Sequence, residues 1–138
     1  MRIKMVRDAG SFEPVRGHKA DAGLDLRSPI DVVVPAHGLV TVDTGIHLAI
    51  PPHFCGILKS KSGLNVKHGI QTTGTIDSGY TGSIAVTLVN HSDKDYKVFA
   101  GDKITQIVIL HIPEVEIVEV DHLSATERGD NGFGSTGR

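Results

Sequence analysis

A glycine-rich stretch in the second half of this 138-residue chain places an acid close to a tyrosine. It reads Gly74-Thr75-Ile76-Asp77-Ser78-Gly79-Tyr80-Thr81-Gly82-Ser83-Ile84, and an apolar run follows at residues 85–89. Because glycine adopts backbone conformations that other residues avoid, Gly79 and Gly82 predict a tight hairpin that holds Asp77 and Tyr80 rigidly. Taken alone, the pattern is more typical of an ordinary turn, since Asp and Gly favour turns for local reasons.

The sequence contains no motif for a zinc site, a Walker phosphate-binding loop or a serine nucleophile. The eight histidines and the single cysteine, Cys55, do not form a zinc pattern. The chain has no Walker loop and no Gly-x-Ser-x-Gly nucleophile elbow. Carboxylates, a few cations and flexible backbone remain. This set suits magnesium-assisted phosphate chemistry, in which positioning and charge neutralisation do most of the catalysis.

The composition predicts one all-β domain, a β-sandwich or jelly roll. The chain is 39% hydrophobic without tryptophan, so its core must consist of Val, Ile and Leu. Sixteen glycines and six prolines suit short strands joined by turns. Apolar runs recur about every 8–12 residues, and no helical stripe interrupts them. Strands are expected at residues 1–6, 31–34, 39–42, 47–50, 54–58, 85–89, 97–99, 104–111 and 115–120, with a polar break at 59–63.

Charge and cysteine content narrow the environment and the partners. A net charge of −2 argues against a broad nucleic-acid or membrane surface, so a polyanionic substrate would meet a few placed cations. The lone Cys55 rules out an internal disulfide, fits a reducing compartment and is expected to be buried. No apolar targeting or membrane segment is present. We therefore expect a cytoplasmic protein.

The last eleven residues form a glycine-rich tail. Most tails of this composition are disordered. Arg128 and Phe133, however, offer a guanidinium fork for phosphate oxygens and a flat ring for a base, as a segment that orders on ligand binding would need. Eleven extended residues span roughly 35 Å, enough to reach a neighbouring subunit. The expected division is a core at residues 1–122 and a flexible C-terminal arm at residues 123–138.

Five segments together resemble the five motifs of the trimeric dUTP pyrophosphatases (dUTPases), from about residue 20 to the end of the chain. They are Ala22-Gly23-Leu24-Asp25-Leu26, Ser60-Lys61-Ser62-Gly63-Leu64, the stretch at 74–84, Gly101-Asp102-Lys103-Ile104-Thr105-Gln106, and residues 128–137. The resemblance implies a jelly-roll (β-clip) homotrimer with active sites shared between chains. It also implies Mg²⁺-dependent hydrolysis of dUTP to dUMP and pyrophosphate, which limits uracil incorporation into DNA and supplies dUMP for dTMP synthesis.

The resemblance also implies roles for residues that match the motifs. Asp77 corresponds to the general base that activates water for attack on the α-phosphorus, and Tyr80 to the ring that packs on the deoxyribose and excludes a 2′-hydroxyl. Asp25 corresponds to the carboxylate that holds Mg²⁺ through water. The uracil-binding edge matches Gly74, Thr75, Ile76 and Ala85. The phosphate-contacting residues match Lys61, Ser62, Gly63, Gln106 and Arg128. The arm residues that stack on uracil match Phe133 and Gly134.

Two departures from the family pattern lie in the second motif. Lys61 stands where arginine is commoner, and Ser60 stands where proline is frequent. Because lysine is a point charge and arginine a planar fork, phosphate anchoring is expected to differ in strength or geometry.

Two other functions are compatible with parts of this pattern. A dCTP deaminase would share the fold, but it needs a glutamate where this chain has Thr87. A non-enzymatic jelly-roll module could bind the nucleotide as a signal, and some phage and viral members of the family also bind proteins. The combination of Asp77, Arg128 and Phe133 favours the enzyme, since a pure binding module would have little need of all three.

Overall fold

A computed structural model describes residues 1–132 and is built almost entirely of β-strands. The strands are β1 (Lys4–Arg7), β2 (Leu24–Arg27), β3 (Val32–Val34), β4 (Leu39–Asp43), β5 (Ile46–Ala49), β6 (Phe54–Lys59), β7 (Ile70–Gln71), β8 (Thr73–Ile76), β9 (Ala85–Asn90), β10 (Tyr96–Val98) and β11 (Lys103–His111). A short helix, α1 (Ser62–His68), follows β6. The all-β prediction is confirmed.

The strands form four antiparallel sheets in a jelly-roll sandwich. The largest sheet has the order β2-β11-β6-β8, and the second has the order β4-β9-β7. Two-stranded sheets, β1-β5 and β10-β3, complete the fold. Most neighbours in these sheets are distant in sequence, so the chain crosses repeatedly from one sheet to another. These crossings bring the separated sequence motifs together.

The core consists of branched aliphatic side chains, as the composition predicts. On β9, Val86, Leu88 and Asn90 are buried and alternate with more exposed residues, because successive side chains in a strand point to opposite faces. Cys55 is also buried, as predicted. The fully buried aliphatic side chains of the core include Leu26, Val34, Val42, Ile46, Ile70, Ile84, Val86, Leu88, Val98, Ile104 and Ile107.

The predicted hairpin around Asp77 is wrong in its pairing. β8 pairs with β6 in the largest sheet, whereas β9 pairs with β4 and β7 in another sheet. The segment from Asp77 to Ile84 is therefore a loop between two sheets. Glycine allows the bend in either arrangement, so the local sequence does not distinguish a hairpin from a crossing.

Two further strand and loop predictions need correction. The polar break at 59–63 leads into α1, which ends at Gly69 in the left-handed conformation (φ 68°). Its seven residues are too few for a helical periodicity to be visible in the sequence. The strand predicted at 115–120 is absent, and this segment is exposed without regular structure. Its alternating apolar residues suit a strand, but no sheet edge within residues 1–132 pairs with it.

Replacing Ile107 by alanine tests the core assignment. Ile107 is fully buried on β11, so the Ile107→Ala cavity should lower the free energy of unfolding by about 2–5 kcal/mol. Val66→Ala on the exposed face of α1 is the control and should change stability by less than about 0.5 kcal/mol. Urea unfolding followed by circular dichroism measures both, and equal effects would contradict the assigned core.

Candidate active site

A buried carboxylate lies where three sequence motifs meet. On the largest sheet, Asp25 of β2 lies opposite Gln106 of β11, and Gln106 lies opposite Lys59 of β6. Lys61 is the second residue after β6, and its Nζ lies 2.5 Å from one Asp25 oxygen. The Nζ of Lys103 lies 2.8 Å from the other oxygen. The Asp25 side chain is only 8% exposed, so both ion pairs are largely shielded on its side.

The position of Lys103 depends on an irregularity in β11. The register with β2 shifts between Lys103 and Thr105, and both Ile104 and Thr105 point into the protein. Bulges of this kind redirect a side chain that regular alternation would place elsewhere. Lys103 was missed as a site residue, because its neighbours in sequence do not reveal this shift.

The two lysines determine the charge state of the cluster. Burial by itself would raise the pKa of Asp25, but hydrogen bonds from Lys103 and Lys61 outweigh it and lower the pKa. Asp25 is therefore ionised at neutral pH. One carboxylate between two ammonium groups leaves one net positive charge, which is suited to an anionic ligand.

Hydroxyl and amide side chains support the chain beside Lys61. The Ser60 hydroxyl donates to the Thr72 carbonyl (3.1 Å) and accepts from the Thr72 amide (2.9 Å). Gln106 Nε2 donates to the Ser60 carbonyl (3.3 Å). Gly23 packs against Gln106, since a Cβ there would fall 2.5 Å from Gln106 Oε1. These contacts hold the first, second and fourth motifs together.

The start of α1 adds backbone donors to this cluster. Lys61 precedes the helix, and the first helical hydrogen bond runs from the Asn65 amide to the Lys61 carbonyl (2.9 Å). In a helix the amides of the first turn have no intrahelical acceptor, so Ser62 and Gly63 offer donors next to the lysine. This arrangement suits the phosphate contacts expected of all three residues.

The Asp77 loop has a defined conformation. The Tyr80 amide donates to the Asp77 carbonyl (3.3 Å), and Gly79 between them has φ 82°, as a type II turn requires. The Tyr80 hydroxyl donates to the Ser83 carbonyl (2.9 Å), and its ring covers Gly82, where a Cβ would fall 2.5 Å from the hydroxyl. Asp77 and Tyr80 are exposed, with the acid available to a ligand.

Side chains from two other strands anchor the same loop. Asp43 of β4 accepts hydrogen bonds from the Ser83 hydroxyl and from the Gly45 amide. His47 of β5 donates through Nδ1 to the Thr81 carbonyl (2.9 Å), and its Nε2 lies 3.4 Å from Asp8 Oδ2. The Thr81 carbonyl and then Asp8 raise the pKa of His47. Neither anchor was identified from the sequence, since both act across the sheets.

The predicted base-binding edge is available. Gly74, Thr75 and Ile76 belong to β8, which pairs with β6 on one side and is the last strand of its sheet. Ala85 is exposed at the start of β9. Thr87, two residues further, shares a hydrogen bond with Thr41 (2.9 Å between the hydroxyl oxygens). β9 therefore offers no acid where a deaminase would need one.

The two halves of the predicted site lie at the two ends of β8. Thr73, at one end of β8, pairs with Lys59 near the Lys61 cluster, whereas Ile76 at the other end leads into Asp77. Three to four strand residues separate these ends, a distance of roughly 10–13 Å. Within one chain the lysine cluster and the Asp77 loop therefore lie at opposite ends of the same strand.

The arm residues are described only in part. Arg128 is exposed, and its Nε donates to the Asn131 carbonyl (3.0 Å). Phe133 and Gly134 lie outside the described residues. Within residues 1–132, no three His, Cys, Asp or Glu side chains group as metal ligands. The helix described there, α1, is neither long nor apolar enough to cross a membrane.

Comparison with known proteins agrees with this all-β fold. A family profile described as dUTPase matches residues 12–137, and the chain therefore belongs to the dUTPase family. The deoxyuridine 5′-triphosphate nucleotidohydrolase of Gloeothece citriformis is 43% identical over 141 residues, covering 99% of this chain and 97% of its own length.

Two solved structures are also similar. The Staphylococcus bacteriophage 80alpha dUTPase with dUpNHpp is 28% identical, with a TM-score of 0.93 and 99% of each chain covered. A mutant dUTPase from phage phi11 of S. aureus, described with a structural Mg(II) ion, is 26% identical. Its TM-score is 0.82, with 88% of this chain and 98% of that chain covered.

Asp25→Asn tests the electrostatics of the cluster. Because the pKa of Asp25 is lowered by folding, the ionised acid stabilises the fold above its unfolded value of about 3.9, and this stabilisation is lost as pH falls through the folded value. The variant should unfold more easily at pH 7 by about 1–3 kcal/mol, because both lysines lose their partner but are partly exposed.

Urea unfolding at pH 7 and pH 3 measures this difference. The gap between Asp25→Asn and the wild type should narrow at pH 3. Asp93→Asn is the matched control, because Asp93 is exposed in its contact with His37 and should contribute little. A constant gap at both pH values would contradict the ionised, lysine-paired Asp25.

Proposed function

We propose that this protein hydrolyses dUTP to dUMP and pyrophosphate. The observation that carries the proposal is the positively charged cluster of Asp25, Lys61 and Lys103 beside the α1 amides, in a chain that belongs to the dUTPase family. A triphosphate needs cations and backbone donors, and this surface offers both. By this reaction the enzyme would limit uracil incorporation into DNA and supply dUMP for dTMP synthesis, in the cytoplasm.

The edge of β8 accounts for the choice of base. Uracil would pair with the backbone of Gly74, Thr75 and Ile76 as an added strand would, with Ala85 on the adjoining strand. Cytosine carries an amino group where uracil has an oxygen, so it would leave a buried backbone group without its partner. The methyl group of thymine would overpack the same edge.

The Asp77 loop would provide the attacking water and the sugar pocket. Asp77 would accept a proton from a water molecule as that water attacks the α-phosphorus, and pyrophosphate would leave. The Tyr80 ring would pack on the deoxyribose and exclude a 2′-hydroxyl. The Gly82 contact and the anchors from Asp43 and His47 support this role, because they limit the motion of the loop.

Asp25 fits a magnesium ion held through water. Its two lysine contacts leave further acceptor positions on the carboxylate oxygens, which can bind metal-coordinated water. Mg²⁺ keeps most of its waters and usually takes only one or two protein carboxylates, so Asp25 with the substrate phosphates is sufficient. When bound, the ion would neutralise phosphate charge during the reaction.

A complete site requires more than one chain. Membership of the dUTPase family supports a homotrimer, in which a neighbouring chain contributes residues to each site. Residues 123–138 would form an arm beyond the core at 1–122. Arg128 would contact the γ-phosphate, and Phe133 with Gly134 would cover the uracil.

The first test is pyrophosphate release from a panel of nucleotides. We expect dUTP to be hydrolysed in strong preference to dCTP, dTTP and UTP. Asp77→Asn should lower kcat by about 10²–10⁴-fold, because the general base is lost, while dUpNHpp still binds. Asp93→Asn, on the exposed turn after β9, is the matched control and should retain activity. Unchanged turnover by Asp77→Asn would end the general-base assignment.

The second test addresses the arm and the shared site. Truncation after Glu127 should abolish most activity and leave the core folded, because residues 123–132 are exposed and contribute little packing. Mixed trimers of the truncated chain and Asp77→Asn should regain activity, since some sites would combine an intact base with an intact arm. Loss of folding on truncation, or mixed trimers without activity, would contradict these assignments.

A further inference from the structure

Two lysine ammonium groups contact Asp25, although one would balance its negative charge. Lys61 and Lys103 come from different motifs and bind different oxygens of the same carboxylate. A buried carboxylate left without a partner is strongly destabilising, whereas one well-placed ammonium group is enough to compensate its charge. The second lysine is therefore free to bind another anion without leaving Asp25 unpaired.

The surroundings indicate which lysine can leave. Lys103 lies within β11, where it pairs with Arg27 of β2, and the pairing of β11 with β6 begins at Gln106. Lys61 precedes α1 in an extended conformation, makes no side-chain cap and adjoins the first-turn amides of Ser62 and Gly63. A lysine ammonium is a compact charge on a flexible stem, so it can change acceptors with little movement of the backbone. Lys61 is thus the lysine placed to turn toward a phosphate.

We propose that Lys103 is a positioning residue that retains Asp25 while Lys61 transfers from Asp25 to the phosphates of the bound nucleotide. This inference rests on the proposed function and assigns a role to a residue of the fourth motif for which the resemblance implied none. It also gives a physical reason for a lysine at position 61, where arginine is commoner in the family. A planar arginine fork could hold one carboxylate through two bonds, whereas lysine exchanges more readily between single acceptors.

Removing Lys103 should weaken triphosphate binding specifically. In Lys103→Gln, Lys61 is the only partner of Asp25, so phosphate binding must break that ion pair. Affinity for dUpNHpp should fall by about 10- to 100-fold, which corresponds to 1.4 kcal/mol for each factor of ten. Affinity for dUMP should fall by a smaller factor, because dUMP offers Lys61 one phosphate in place of three. Lys103→Arg should restore most of the triphosphate affinity.

Asp25→Asn distinguishes exchange from direct contact. If Lys103 acts through Asp25, the double variant Lys103→Gln with Asp25→Asn should regain affinity for dUpNHpp, because Lys61 no longer has a carboxylate to leave. If Lys103 touches the phosphates itself, the double variant stays as weak as Lys103→Gln, and the proposal is overturned. Asp25→Asn alone should bind dUpNHpp at least as tightly as the wild type, and weaker binding would also overturn the proposal.

The experiment is calorimetric titration of the full chain with dUpNHpp and with dUMP in the presence of EDTA. Removing divalent metal separates this readout from any role of Asp25 toward magnesium. Thermal melts establish that each variant is folded, and Asp25→Asn provides the decisive measurement if Lys103→Gln does not fold. Lys97→Gln on β10 is the matched control and should bind both nucleotides normally.

The outcomes separate this inference from the proposed function. If the wild type releases no pyrophosphate from dUTP with Mg²⁺ and binds neither nucleotide, the proposed function fails and the exchange fails with it. If it releases pyrophosphate with Mg²⁺ but binds neither nucleotide without metal, only the exchange is overturned. If the wild type binds dUpNHpp and Lys103→Gln binds it equally well, only the exchange is overturned. A parallel loss of dUpNHpp and dUMP affinity in Lys103→Gln would also overturn it, because the effect would then be general damage to the site.

Discussion

The paired contact of Asp25 with two lysines links the fold of this protein to its chemistry. A carboxylate this deeply buried needs compensating charge, and the compensation comes from the first residues after β6 and the first residue of β11. The same requirement brings three motifs to one place on the largest sheet. A surface that stabilises a buried acid thereby becomes a surface with an excess of positive charge.

The register of β2, β11 and β6 makes that contact possible. Antiparallel pairing places Asp25 opposite Gln106, and the bulge near Lys103 turns an additional side chain toward the same carboxylate. Ser60 then ties the following segment to Thr72 through two hydrogen bonds. At position 60, where the family pattern often has proline, this chain has a serine whose hydroxyl makes these two hydrogen bonds. The lysine can therefore be flexible while its backbone is held.

In the Asp77 loop, contacts from several sides hold the backbone in place. A turn hydrogen bond, the Tyr80 ring over Gly82, and contacts from Asp43 and His47 restrain it. Rigid placement suits a group that must orient a water molecule, because catalysis depends strongly on the geometry of attack. The loop and the lysine cluster lie at the two ends of β8, so one strand fixes the position of both.

Several features were predictable from the sequence alone. Short-range signals were sufficient for the all-β class, the Val, Ile and Leu core, the buried Cys55 and membership of the dUTPase family. Asp25, Lys61 and Gln106 were predicted site residues, and the tertiary structure does bring them together. The fold class and the core were predictable because alternation and turn residues are properties of neighbouring positions, and the family was predictable because five motifs match in order along the chain.

Other features were decided only by the tertiary structure. The tertiary structure placed β8 and β9 in different sheets, formed α1 where no helix was predicted, and left residues 115–120 without a partner strand among the described residues. It also created the contacts of Lys103 with Asp25 and of His47 with the Asp77 loop. All of these depend on which distant strands pair and in which register. A local pattern of residue types carries no information about that choice, because strand pairing is a contact between separated parts of the chain.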